Sequence, residues 1–176
     1  ALQQGYVCRE WLEGAYNLGM LTEAAELQRR ANYLAFAGIP HRAARVMEKA
    51  MKEGQIESSA ANYKTLANYW HQAKELDPAI DTLAKSYQLA PSAELQLKMA
   101  RMMIQSKRYK DLVALAAKPA ANASGEQRAD LKFLTGVAYF EQQKPKEALS
   151  AFTQAAQNGN VSGRASPWIS FLKEQQ

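Results

Sequence analysis

The chain has 176 residues, of which 47% are hydrophobic and 22% are charged, and its formal net charge is +5. The apolar fraction excludes an intrinsically disordered chain, and no apolar run approaches the roughly 20 residues of a membrane-spanning helix. Val, Ile and Thr number five each against 32 Ala. Because a sheet needs more branched residues than this, the composition predicts an all-α fold.

Apolar residues recur at intervals of three and four along most of the chain, which is the period of an amphipathic helix. Prolines mark the helix ends, and we read Asp77-Pro78 and Ser166-Pro167 as an N-cap followed by the first helical residue. The predicted helices cover residues 6–18, 23–37, 41–53, 59–73, 78–89, 93–106, 109–117, 126–142, 146–157 and 164–174.

Four columns of small or apolar residues repeat with one unequal spacing of 36, 33 and 36 residues. Two columns belong to the first helix of each unit, and two belong to the second. They are Ala31, Ala67, Ala100 and Gly136; Leu34, Trp70, Met103 and Tyr139; Ala43, Ala79, Leu112 and Ala148; and Met47, Leu83, Ala116 and Phe152. Each unit is therefore predicted to be a helix, a tight turn and a second helix.

Close packing explains this pattern. Two antiparallel helices approach closely only where one carries Gly or Ala at the crossing, and a bulky residue such as Trp70 or Phe152 then fills the space beside it. A single helical pair leaves one apolar face in water. Because the next pair covers that face, the units are expected to stack into a solenoid.

The units resemble the tetratricopeptide repeat (TPR), most clearly in the last unit with Gly136, Tyr139, Ala148 and Phe152. The resemblance covers residues 22–160 and implies an all-α, right-handed α-α superhelix forming one solenoid domain over 1–176. Its parts are a half repeat at 6–21, repeats at 22–57, 58–91, 92–124 and 125–160, and a capping helix at 161–176.

The two ends are expected to differ from a full repeat. Val7 and Trp11 lie 36 residues before Ala43 and Met47, so the segment 6–18 is predicted to be the second helix of an earlier unit. We therefore expect the chain to be the C-terminal part of a longer protein. Near the other end, an apolar stripe is followed by polar residues, and this pattern predicts a helix that closes the array. The stripe consists of Trp168, Ile169, Phe171 and Leu172.

Three stretches, 37–56, 59–68 and 162–168, resemble periplasmic TPR proteins that are encoded beside TonB-type energy-transduction systems of proteobacteria. This resemblance implies a periplasmic location and a place in a TonB-associated cell-envelope assembly. Contact with a membrane would then be only indirect, through a partner complex. A cytoplasmic location is the alternative.

Catalytic and cofactor-binding motifs are absent from the sequence. The single Cys8 excludes a disulfide within the chain and a four-cysteine zinc site, and His41 and His71 lack metal-ligand spacing. There is no phosphate-binding loop, nucleophile elbow or zinc-protease motif. We therefore expect no enzyme, no cofactor, no metal and no small-molecule substrate. Because the positive charge is spread along the chain, no nucleic-acid partner is expected.

The TPR resemblance implies that the first helix of each unit lines a concave groove in which a protein or peptide partner lies. The predicted groove is polar and cationic in its middle and apolar toward the last unit, which suits an extended peptide. Its residues are Gln28, Asn32 and Phe36; Lys64, Asn68 and His71; Lys98 and Arg101; and Phe133, Val137 and Phe140.

Lys64 and Asn68 resemble part of the carboxylate clamp of TPR proteins that bind chaperone tails. Lys98 stands where that clamp has Asn, however, and Asp130 and Leu134 stand where it has cations. Binding of a chaperone tail is therefore not predicted.

Two alternatives to the groove remain open. In the first, the polar groove residues are merely solvated, and Phe133 and Phe140 pack on the capping helix. In the second, the chain is a structural spacer whose partners attach end to end, through the half repeat or the capping helix.

Overall fold

The computed structural model describes residues 24–118 and 122–175, and every regular element in these ranges is an α-helix. The helices are α1 (Ala24–Phe36), α2 (Pro40–Lys52), α3 (Ala60–Gln72), α4 (Leu76–Leu89), α5 (Ala93–Gln105), α6 (Tyr109–Ala116), α7 (Gly125–Glu141), α8 (Pro145–Ala155) and α9 (Gly159–Glu174).

This architecture confirms the predicted all-α fold, and the eight helices predicted between 23 and 157 agree with α1 to α8 within two residues at each end. The helix predicted over 6–18, which includes Cys8 and Trp11, lies outside the described residues.

The chain forms two compact units, Ala1–Ala79 and Ile80–Gln176, and each of these is larger than one helical repeat. In the described part of the first unit, α1 packs on α2 and α2 packs on α3. In the second unit, α5 packs on α6 and α7, α7 packs on α6 and α8, and α9 packs on both α7 and α8. Within the second unit, α7 thus covers the pair α5 and α6, and the single helix α9 covers the pair α7 and α8.

The repeated columns form the core of both units. Ala31, Ala67 and Ala100 are at most 1% exposed, and Gly136 is buried in α7. The second-helix column is fully buried, with Ala43, Ala79, Leu112 and Ala148.

In the column that runs from Met47 to Phe152, one residue is not fully buried. Met47, Leu83 and Phe152 are buried, whereas the corresponding Ala116 is half-buried. It ends α6, which has only eight residues. A cleft of about 520 Å³ therefore lies between α6 and α8, and Thr135 of α7 is among the residues that line it.

The turn after each first helix contains one residue with a left-handed backbone, at the repeat spacing of 36, 33 and 36. These residues are Gly38 (φ 79°), Lys74 (φ 64°), Lys107 (φ 58°) and Gln143 (φ 59°). In each turn the backbone N–H of the following residue donates to the carbonyl oxygen five residues before it, as in the 2.9 Å bond from Ile39 to Leu34 and the 2.8 Å bond from Arg108 to Met103. This bond closes the end of a helix in the Schellman manner.

The structure corrects two predicted helix starts. Helix α4 begins at Leu76, so Asp77 is not its cap and Pro78 lies within its first turn, where a backbone N–H has no acceptor inside the helix. Helix α9 begins at Gly159 instead of 164 because the Asn158 side chain accepts a 3.1 Å hydrogen bond from the Asn160 N–H.

The predicted cap at Ser166-Pro167 is therefore wrong, and Pro167 lies inside α9. Ser166 is a helix-interior residue whose hydroxyl donates to the Ser162 carbonyl at 2.8 Å. Buried Val161 and Ala165 hold this first half of α9 in the core, which explains why the helix starts before the proline.

Gly136→Ala should destabilise the protein although Ala favours a helix. The added Cβ would lie 2.7 Å from Cδ1 and Cε1 of Phe152, and this ring is fully buried and stacked on Trp168. We expect a net loss of about 1 to 2 kcal/mol in the free energy of unfolding, measured with urea, since overpacking outweighs the gain in helix propensity.

Gly163→Ala in α9 is the matched control, because nothing lies within 4 Å of its added Cβ. This change should stabilise the protein by about 0.5 to 1 kcal/mol. Equal effects of the two substitutions would contradict the packing at Gly136.

Gln143→Gly should stabilise the protein, because a left-handed conformation costs an L-residue more than it costs glycine. The expected gain is about 0.5 kcal/mol in thermal or urea unfolding. Gln142→Gly is the control, since Gln142 has an ordinary φ of −87°, and it should lose stability. A loss at both positions would contradict the left-handed turn.

Candidate functional site

In the first unit, polar side chains of α1 are joined to α3. Gln28 Nε2 donates to Asn62 Oδ1 at 3.3 Å, and the Tyr69 hydroxyl donates to Asn32 Oδ1. Burial raises the pKa of Tyr69, so its hydroxyl stays protonated at neutral pH and remains a donor. The two bonds fix the predicted groove residues Gln28 and Asn32 against the neighbouring first helix.

Asn62 and Tyr69 were not among the predicted site residues. They follow Gln28 and Asn32 by 34 and 37 residues, close to one repeat. The sequence signal for them is a pair of polar residues separated by about one repeat.

The other predicted groove residues of the first unit also lie on α1 and α3. Lys64, Asn68 and His71 are spaced by four and three residues, so they share one face of α3, and all three are half-buried. Phe36, at the end of α1, is 93% exposed. The described part of this unit therefore presents amide and cationic groups with one exposed aromatic ring.

In the second unit, charged residues of three helices meet at one carboxylate. Asp130 of α7 accepts from Arg101 of α5, with Nη2 and Oδ2 3.4 Å apart, and from Arg164 Nη2 of α9 through Oδ1. The side chain of Asp130 is 17% exposed, whereas those of Arg101 and Arg164 are 60% and 54% exposed. We call these three residues the arginine–aspartate cluster.

Arg101 is among the predicted site residues, whereas Asp130 and Arg164 are not. Arg164 is the first residue of the predicted last helix and lies outside the repeated columns, so the repeat spacing gives no signal for it. Lys98, also predicted, is half-buried on α5.

The apolar end of the predicted groove is partly covered by α9. The Phe140 ring lies 5.0 Å from that of Trp168 and 6.1 Å from that of Phe171. The Phe133 ring lies 5.5 Å from that of Phe152, and the guanidinium carbon of Arg164 is 5.0 Å from its centroid. Val137, Phe133 and Phe140 all remain half-buried.

Within the described ranges, no three His, Cys, Asp or Glu side chains are grouped closely enough to hold a metal ion. No described helix combines the length and the apolar character needed to cross a membrane.

No protein-family model and no curated protein matches the chain, but several solved structures do. MamA from AMB-1 matches with a TM-score of 0.62 at 20% identity, over 86% of this chain and 81% of MamA. The C-terminal part of a TPR repeat-containing protein from Cytophaga hutchinsonii matches with a TM-score of 0.61 at 10% identity, over 96% and 65% of the two chains.

A third match is the APC/C hetero-tetramer Cut9-Hcn1, with a TM-score of 0.52 at 14% identity, over 99% of this chain and 34% of the other. At such low identities the likeness bears on the fold alone. Together with the repeated helical pairs, it shows that the chain has a TPR-like helical solenoid fold.

Proposed function

We propose that the protein is a non-enzymatic interaction scaffold that binds an extended segment of a partner along its first helices. The observation that carries this proposal is the pair of hydrogen bonds that joins α1 to α3, from Gln28 to Asn62 and from Tyr69 to Asn32. They hold amide groups at partly open positions, and a peptide backbone needs such ordered donors and acceptors.

The fold also supports the proposal. One matched structure is described as a hetero-tetramer, so a chain of similar fold assembles with another protein. An end-to-end spacer finds less support in the described residues, because the exposed positions of α9 are mostly polar and Phe171 is its large exposed apolar side chain.

We further propose that the partner belongs to a TonB-associated assembly in the periplasm. This proposal rests on the resemblance of residues 37–56, 59–68 and 162–168 to the periplasmic TPR proteins named above. Fractionation of cells that express the protein should place it with periplasmic markers. Recovery with cytoplasmic markers would contradict the proposed location and leave peptide binding untouched.

Site-specific photocrosslinking tests the binding face. Phe36→p-benzoylphenylalanine replaces an exposed aromatic residue by a similar one on α1, and Glu48→p-benzoylphenylalanine is the matched variant on α2, also at an exposed position. We expect the partner to crosslink at position 36 and not at position 48, as detected by mass spectrometry of the crosslinked products.

Crosslinking at position 48 with none at position 36 would contradict binding along the first helices. Equal thermal unfolding of both variants and the unmodified protein is the control for folding.

A further inference from the structure

We propose that the arginine–aspartate cluster, Arg101, Asp130 and Arg164, binds the carboxylate of a Glu or Asp side chain in an acidic partner segment. This inference rests on the proposed function and names the chemistry of the partner. It adds α9 to the binding surface, which the TPR resemblance does not imply.

Charge balance favours an anionic ligand. Asp130 contributes one negative charge to two guanidinium groups, so the cluster keeps a net charge of +1. Each arginine contacts Asp130 through Nη2 alone, while a guanidinium has five N–H donors. Because Arg101 and Arg164 are each more than half exposed, their other donors are open to an acceptor from solvent.

The cluster is also held in place before a ligand arrives. The Arg164 guanidinium lies over the Phe133 ring, and cation–π contact restricts its motion. Phe133 contacts Phe152, which is fully buried. Asp130 then links Arg164 to Arg101 on a different helix, and preorganised donors lose less entropy on binding.

The same charge balance argues for a carboxylate over a phosphate. One carboxylate brings the cluster to neutrality, whereas a phosphate dianion would leave it negative and would repel Asp130. The half-buried Phe133 ring beside Arg164 offers an apolar contact to a neighbouring side chain. The expected segment therefore contains acidic residues next to apolar ones.

A fluorescent decapeptide of alternating Glu and Leu is the probe, and the same peptide with Gln in place of Glu is its control. We expect the full chain to bind the Glu peptide at least about tenfold more tightly in fluorescence anisotropy, since hydrogen bonds to charged groups are the stronger ones. Raising the salt concentration should weaken this binding.

Substitutions assign the binding to the cluster. Arg101→Ala and Arg164→Ala should each weaken binding of the Glu peptide about tenfold, and Arg164→Lys should weaken it less. Lys132→Ala is the matched control, because it removes one exposed positive charge from α7 at a residue that lines the cleft near α6 and α8. It should leave the affinity within about twofold of the unsubstituted protein.

The inference is overturned if both arginine variants bind like the unsubstituted protein or if Lys132→Ala weakens binding as much as they do. Tighter binding of a peptide with phosphoserine in place of a central Glu would also overturn it. Crosslinking at position 36 together with any of these results would reject the carboxylate site alone. Crosslinking confined to position 48 would reject the proposed function itself.

Discussion

The fold depends on a small residue at the point where the first helix of a pair meets the second. At Gly136 the space normally filled by a Cβ is taken by the Phe152 ring, whose nearest atoms are 2.7 Å from that position. The ring in turn stacks on Trp168 and contacts Phe133. One absent methyl group thus allows α7, α8 and α9 to share a single apolar core.

The same packing determines where function can lie. Because the small residue faces the second helix, the next residue along the first helix points away from the centre of the pair. That position is accessible in all four helical repeats, where it is exposed or half-buried and is occupied by Asn32, Asn68, Arg101 and Val137. The repeat that builds the core therefore also repeats an accessible position, and its chemistry changes from amide to cation to apolar along the chain.

Most of the fold could be predicted from the sequence, because helix period, small residues and turns act over short distances. The left-handed turns at Lys74, Lys107 and Gln143 were not visible, since only Gly38 carries the residue type that marks such a turn. Pro167 suggested a helix start, but the Asn158 cap and the burial of Val161 and Ala165 outweighed its local preference.

The site was less predictable, because its contacts join residues that are distant in sequence. The periodicity indicated that Arg101 is accessible, yet its partner Asp130 lies 29 residues away and Arg164 lies 34 residues beyond Asp130. The packing of Phe140 on the capping helix is one of the alternatives that the sequence leaves open, and its ring contacts Trp168 and Phe171 of α9.

A double-mutant cycle between Gly136→Ala and Phe152→Leu tests the central packing claim most directly. If the added Cβ acts through the Phe152 ring, the substitution at Gly136 should cost less in the Phe152→Leu background, with a coupling of about 1 kcal/mol in urea unfolding. Additive effects of the two substitutions, within about 0.3 kcal/mol, would contradict the claim that this contact sets the distance between the helices.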